Sequence, residues 1–146
     1  MKILVISDTH RQVNKVITVL HNTPDITNVI HLGDYVRDAD EIQEVFPDKV
    51  YHKIQGNNDM LSFAKPDMLL SLCGYNIFAT HGHAYGVKRG SFALLAKRAI
   101  EMGCDMALFG HTHEYADETL CGVRCLNPSN KGYFIITEEK IEFFEY

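Results

Sequence analysis

Residues 2–7, KILVIS, form an unbroken apolar run rich in β-branched side chains, the pattern of a strand buried on both faces. From about residue 11 the period changes. Val13, Val16, Ile17 and Leu20 fall at helical spacing, and Pro24 stops the helix that they predict. Residues 28–32, NVIHL, predict a second strand ending at Gly33-Asp34. Residues 39–46, ADEIQEVF, predict a short helix with acidic residues in its first turn, where the helix dipole favours them. Residues 49–55, KVYHKIQ, predict a third strand that ends at Gly56. Strand alternating with helix is the mark of a parallel sheet.

The second half changes character. Residues 67–72 and 76–80 flank Cys73-Gly74-Tyr75, a hairpin signal. A helix over roughly 90–102 leads to the strand MALFG, and Val123 to Tyr146 reads as a β-meander: strand, Asn-Pro loop, strand, Glu138-Glu139 turn, strand. No repeat, low-complexity tract or linker interrupts the chain. The elements predict one domain over residues 1–146, a mixed α/β sandwich with one sheet mostly parallel, the other carrying antiparallel hairpins, and helices outside.

Composition agrees and narrows the partners. A chain of 146 residues with 46% hydrophobic and 23% charged positions suits a single core. The net charge is −5 and no cationic cluster exceeds a dipeptide such as Lys97-Arg98. That argues against a nucleic-acid polymer, though not against a small phosphate ligand held by metal ions. The opening MKILVISDTH is too short for a signal peptide, and nothing later approaches a membrane span. Cys73, Cys104, Cys121 and Cys125 show no CxxC pairing and read as small buried residues in a reducing compartment, so the expected location is the cytoplasm.

The polar residues collect at strand ends. ILVISDTH ends in Asp8 and His10, VIHLGD in Asp34, VYHKIQGNND in Asn57, Asn58 and Asp59, YNIFATHGH in His81 and His83, and MALFGHTH in His111 and His113. In open α/β sheets ligands sit at the carboxyl ends of strands. In an extended segment residues i and i+2 point to one side, so Asp8 with His10, and His111 with His113, are each placed to converge. Imidazole with carboxylate and no nearby thiolate suits manganese, iron, zinc or nickel better than calcium. One ion takes about four ligands. These strand ends offer more, and two ions sharing a carboxylate account for the surplus. Each motif alone is more often a cap or a turn than a ligand set; their agreement in context favours a metal site.

The order DTH, GD, GNND, HGH, GHTH resembles the calcineurin-like metallophosphoesterase superfamily, and most of all its YfcE-type phosphodiesterase branch, along nearly the whole chain. The resemblance implies a four-layer α/β/β/α sandwich. It implies two divalent transition-metal ions, manganese first and iron, nickel or zinc next. Asp8, His10 and His113 would hold one ion and Asn57, His81 and His111 the other, with Asp34 bridging. It further implies hydrolysis of a small-molecule phosphate diester by a metal-bridging hydroxide, with Asp34 and Asn58 as catalytic residues.

Two positions depart from the family. Asn58 stands where many members have a histidine general acid; an amide cannot give up a proton, although it can donate hydrogen bonds to a phosphoryl oxygen. Diesters with good leaving groups are therefore expected above monoesters. Asp59, with no such ring to orient, is expected to brace its loop. Asn127-Pro128-Ser129-Asn130 replaces the branch's Asn-Pro-Gly-Ser, and the missing glycine is expected to alter that loop's path. A phosphomonoesterase and a non-catalytic protein-binding scaffold, the role of a eukaryotic retromer subunit similar to this branch, are the alternatives.

The remaining polar residues read more plainly. His83 is expected on the surface or bracing a ligand, ahead of binding metal. His31 reads as a hydrogen-bonded strand residue, and His21 and His52 as surface ones. Arg37 is either a phosphate clamp or a solvated side chain. Phe134, Phe143, Phe144 and Tyr146 should pack a sheet face; if part of the group is exposed, an oligomer contact follows, as a homodimer or homotetramer.

Overall fold

The alternation along the first strand organises the molecule. In this computed structural model, which describes residues 1–146, Ile3 and Val5 face one way from β1 (Lys2–Ile6) and Leu4 and Ile6 the other, and both sets are fully buried. The chain continues through α1 (Val13–Asn22), β2 (Asn28–His31), α2 (Val36–Val45), β3 (Val50–Lys53), β4 (Asp67–Leu72), β5 (Tyr75–Thr80) and α3 (Ala93–Glu101). It closes with β6 (Met106–Leu108), β7 (Ala116–Leu120), β8 (Val123–Asn127), β9 (Gly132–Thr137) and β10 (Ile141–Glu145). Two single 3-10 turns, His83–Tyr85 and Val87–Arg89, precede α3.

Two five-stranded sheets result, ordered β10-β9-β1-β2-β3 and β4-β5-β6-β8-β7. Between them lies a core that includes Ile3, Val5, Ile30, Ile77, Leu108 and Leu126. Leu4, Ile6 and Val29 pack outward against Val13, Val16 and Leu20 of α1 and Ile42 of α2. Phe78, Ala107 and Cys125 pack outward against Leu95, Ala96 and Ala99 of α3. Three apolar interfaces thus separate four layers, the expected α/β/β/α sandwich.

Several expectations need correction. Neither sheet is mostly parallel. β1–β2 and β2–β3 are parallel while β1–β9 and β9–β10 are antiparallel, and the second sheet repeats that balance. The C-terminal meander is not continuous either: β8 pairs with β6 and β7, whereas β9 pairs with β1 and β10. The Asn-Pro loop crosses between sheets. Alternation announces strands but carries no information about their partners. Strand β7 went unread because its ADETL sequence, mostly exposed on a sheet edge, lacks an apolar face. Helix α2 starts at Val36 rather than residue 39, and Cys121 is exposed, unlike the other cysteines, because it lies in the β7–β8 turn. Phe134 and Phe143 pack as expected, while Phe144 and Tyr146 stay partly exposed beside Tyr133.

Candidate metal centre

β1 and β6 are the middle strands of their sheets, and the loops that leave their carboxyl ends meet across the sandwich. Parallel neighbours β2, β3 and β5 deliver the remaining polar loops to the same edge. The convergence is not made by extended backbone. Asp8, His10, Asp34, His111 and His113 have φ of 52°, 44°, 59°, 69° and 60°, all left-handed. Such conformations cost of order 1 kcal/mol each outside glycine and persist only where surrounding structure imposes them. The turns bring Asp8 and His10 together as expected. They send His111 and His113 apart, to opposite halves of the centre.

Ligand atoms of Asp8, His10, Asp34 and His113 all lie within 4.8 Å of one another. His113 Nε2 is 3.3 Å from Asp8 Oδ1 and 3.5 Å from His10 Nε2. On the other side His81 Nε2 lies 3.5 Å from Asp34 Oδ1 and 4.0 Å from Asp8 Oδ1. There His111 Nδ1 stands 3.1 Å from Asn57 Oδ1, and the His81 and His111 rings are 5.1 Å apart. Asp34 borders both groups.

The donor set fits a cation. Asp8 Oδ1 and His81 Nε2 are buried without a hydrogen-bond partner, which is costly for polar atoms unless something else satisfies them. Asp8 Oδ2 is already taken, accepting from Ser7 Oγ at 2.5 Å and the His111 amide at 3.1 Å. His81 Nδ1 lies 2.7 Å from the Leu32 carbonyl, so that nitrogen carries the proton and donates, leaving the Nε2 lone pair aimed inward. Burial works against protonating His81, but Asp34 and Asp8 outweigh it and raise its pKa; a cation between these groups would replace that proton. Burial also works against ionising Asp34, but His81 and the Asn58 donors hold its carboxyl well below the usual carboxylate range. Burial, with His81, Lys88 and His83 nearby, pushes His111 down to about 4, so its imidazole is neutral and able to ligate at pH 7.

Glycine permits this crowding. A Cβ on Gly56 would overlap the Asp34 carboxylate, and one on Gly110 would overlap Ser7 Oγ and come within 2.6 Å of Asp8 Oδ2.

Asn58 does not simply face substrate: its backbone amide donates to Asp34 Oδ1 at 3.0 Å and its Nδ2 to Asp34 Oδ2 at 2.9 Å. Asp59 braces the loop as expected, accepting from the amides of Asp34, Gly56 and Val36 at 2.7, 2.9 and 3.1 Å. Sequence reasoning missed a buried chain beneath the centre. The Gly33 amide donates to His31 Nδ1, so Nε2 of that ring donates to Thr9 Oγ1, which donates in turn to Asp38 Oδ2. Asn127, which the sequence placed in the Asn-Pro loop without a role, has its Nδ2 donating to the Gly110 carbonyl at 2.9 Å and to Thr112 Oγ1 at 3.0 Å. Ser129 stands at the missing glycine's place with φ 63°, so it adopts a left-handed conformation that glycine would take readily. His83 is exposed with its ring 5.5 Å from His81, and Arg37 is exposed over the Tyr35 ring at 5.7 Å. His52 is half-buried and bonded to Asn28, while His21 is exposed against Phe46.

A family model for the calcineurin-like phosphoesterase superfamily domain matches residues 1–133. The chain belongs to that superfamily. Among its calcineurin-like relatives, the probable metallophosphoesterase YsnB of Bacillus subtilis is 31% identical over 132 residues, covering 89% of this chain and 75% of the relative. A phosphodiesterase of Methanocaldococcus jannaschii is 29% identical, with 99% of this chain and 98% of the relative covered. Solved structures share the fold. A predicted phosphoesterase of Streptococcus pneumoniae superposes with a TM-score of 0.78 at 22% identity, over 99% of this chain and 88% of the other. Zinc-complexed Vps29 of Entamoeba histolytica reaches 0.80 at 21% identity, over 100% and 92%. Within this calcineurin-like fold no helix is long and apolar enough to cross a membrane.

Proposed function

We propose that this phosphoesterase domain, residues 1–146, is a dinuclear metal-dependent phosphodiesterase acting on a small-molecule diester in the cytoplasm. The observation that carries the reading is the pair of buried, unpartnered atoms, Asp8 Oδ1 and His81 Nε2, standing 4.0 Å apart amid ligand-type side chains. Asp8, His10 and His113 would hold one ion and Asn57, His81 and His111 the other, with Asp34 shared. Two divalent ions, manganese tried first and iron, nickel or zinc after it, supply an acidified water at neutral pH and positive charge for phosphoryl oxygens.

The chain's own residues set the geometry and the preference. Leu32 fixes the His81 tautomer, and Asn58 holds both oxygens of Asp34. The amide of Asn58 keeps a second N–H for a phosphoryl oxygen but has no proton to give a leaving group. Losing a general acid costs about 10²–10⁴-fold, most for poor leaving groups, which favours activated diesters over monoesters. Association into a homodimer or homotetramer through partly exposed Phe144 and Tyr146 belongs to the same reading. A protein-binding scaffold is the second reading, favoured by the exposed apolar Met60, Leu61 and Phe63 beside Asn57 and Asn58.

The test is hydrolysis of bis(p-nitrophenyl) phosphate and p-nitrophenyl phosphate by metal-stripped protein as manganese is titrated back, beside Asp34→Asn. Manganese-dependent diester cleavage, lower by more than about 10²-fold in the variant, is expected. No turnover with any of the four metals would defeat the enzyme reading and turn attention to the scaffold.

A further inference from the structure

The segment that follows Asn58 leaves large apolar side chains in solvent. Met60, Leu61 and Phe63 are 85%, 97% and 105% exposed. Single exposed apolar residues are ordinary, but three within one short segment form a patch that implies an occupant. All three line a groove of about 1250 Å³ that Asn57 and Asn58 also line. The groove also gathers cations. Lys53 is neutralised by Asp40 at 2.5 Å, but Arg11, Arg37 and Lys65 have no ion-pair partner. In a chain of net charge −5, unpaired cations around an apolar groove mark a place built for an anion with an apolar part.

We propose that this groove holds the organic arm of the substrate and that the arm is nucleotide-like. A heterocyclic ring would lie against Phe63 and Met60, and a second anionic group would meet Arg37 and Lys65. The proposal rests on the phosphodiesterase reading, since it is the groove's continuity with Asn57 and Asn58 that makes its occupant a substrate. Three observations favour this occupant. The groove's volume exceeds the range of about 300–1,000 Å³ common for small-ligand pockets, which leaves room for sugar, ring and phosphate together. Unpaired arginine and lysine suit phosphate oxygens, and Arg37 is exposed with no ion-pair partner, its guanidinium carbon 5.7 Å from the Tyr35 ring centre. A second copy of the chain docking by the same face would instead set these cations against their own images, which opposes association.

The test separates groove from metal centre. Thymidine 3′,5′-bisphosphate is titrated by calorimetry into metal-free wild-type protein, into Arg37→Ala/Lys65→Ala and into Phe63→Ala; all three positions are exposed, so the variants should fold. Binding to wild type, weakened about tenfold or more in both variants, is expected, the scale of losing one charge-assisted or stacked contact. Hydrolysis of bis(p-nitrophenyl) phosphate by the manganese-loaded wild-type protein runs alongside. Hydrolysis without bisphosphate binding, or with binding equal in all three proteins, would overturn the groove assignment and leave the phosphodiesterase reading intact. Binding without hydrolysis would defeat that reading and, with it, the assignment of the ligand as substrate. Concentration-dependent dimerisation lost in Phe63→Ala, with no bisphosphate bound, would give the groove to a second copy and also overturn the proposal.

Discussion

Gly110 has no room for a side chain, because the Asp8 carboxylate and the Ser7 hydroxyl occupy the place where its Cβ would go. The same contact lets the His111 amide reach Asp8 Oδ2, which in turn leaves Oδ1 free to face the centre. Gly110→Ala should therefore do two things at once. Urea denaturation should show a loss of about 1–3 kcal/mol, the usual cost of overpacking. On the proposed function, manganese affinity should fall with it, since the intruding methyl would displace Asp8, a proposed ligand. An alanine variant with unchanged affinity would mean that Asp8 is not held where the geometry puts it.

At the scale of elements, the centre depends on loops that share no ligand. The loop after β1 carries Asp8 and His10, and the loop after β2 carries Asp34. Thr9 and His31 link them through the buried chain that ends on Asp38 of α2, whose Oδ2 also accepts from the Arg11 amide at 2.7 Å. His31 and Asp38 are buried at 0% and 1% exposure, out of reach of bulk solvent. Thr9→Val keeps the shape and removes the hydroxyl. It should cost about 1–3 kcal/mol, as buried unsatisfied groups do, and weaken manganese binding about 10-fold or more, as changes to groups supporting metal ligands do. Competition against a chelator measures the second effect. Stability lost with affinity retained would show that the chain supports the fold but not the site.

For the whole molecule, the histidines set a pH dependence of the metal-free protein. Burial lowers the pKa of His31, His52 and His83 and brings His111 to about 4, against an ordinary value of 6.5. The unfolded chain then takes up protons first, so the stability these residues contribute is present above 6.5 and is lost as pH falls from there towards about 4. His81 acts in the opposite sense. Its pKa is raised, so its contribution is full below 6.5 and fades as pH rises through the folded value. With four groups against one, the urea midpoint should be lower at about pH 5 than at about pH 7.5. A higher midpoint at the acid end would mean that protonated His81, held between Asp8 and Asp34, dominates.

The sequence by itself determined what depends on near neighbours. It showed where apolar residues alternate or fall at helical spacing, hence the positions of β1, α1, the β4–β5 hairpin and α3. It also showed which strands end in ligand-type side chains. Because the spacing of DTH, GD, GNND, HGH and GHTH is itself a sequence property, the candidate metal residues were legible before any fold was known. Tertiary structure decided the rest. The crossing of the chain between sheets after Asn127, the pairing of the polar edge strand β7 and the left-handed turns that part His111 from His113 all follow from which surfaces stack. So does the buried link from His31 to Asp38. A residue's own neighbours in the chain set its local preference. Only packing against residues distant in sequence fixes a strand's partner, holds a strained turn and aims a side chain at a common point.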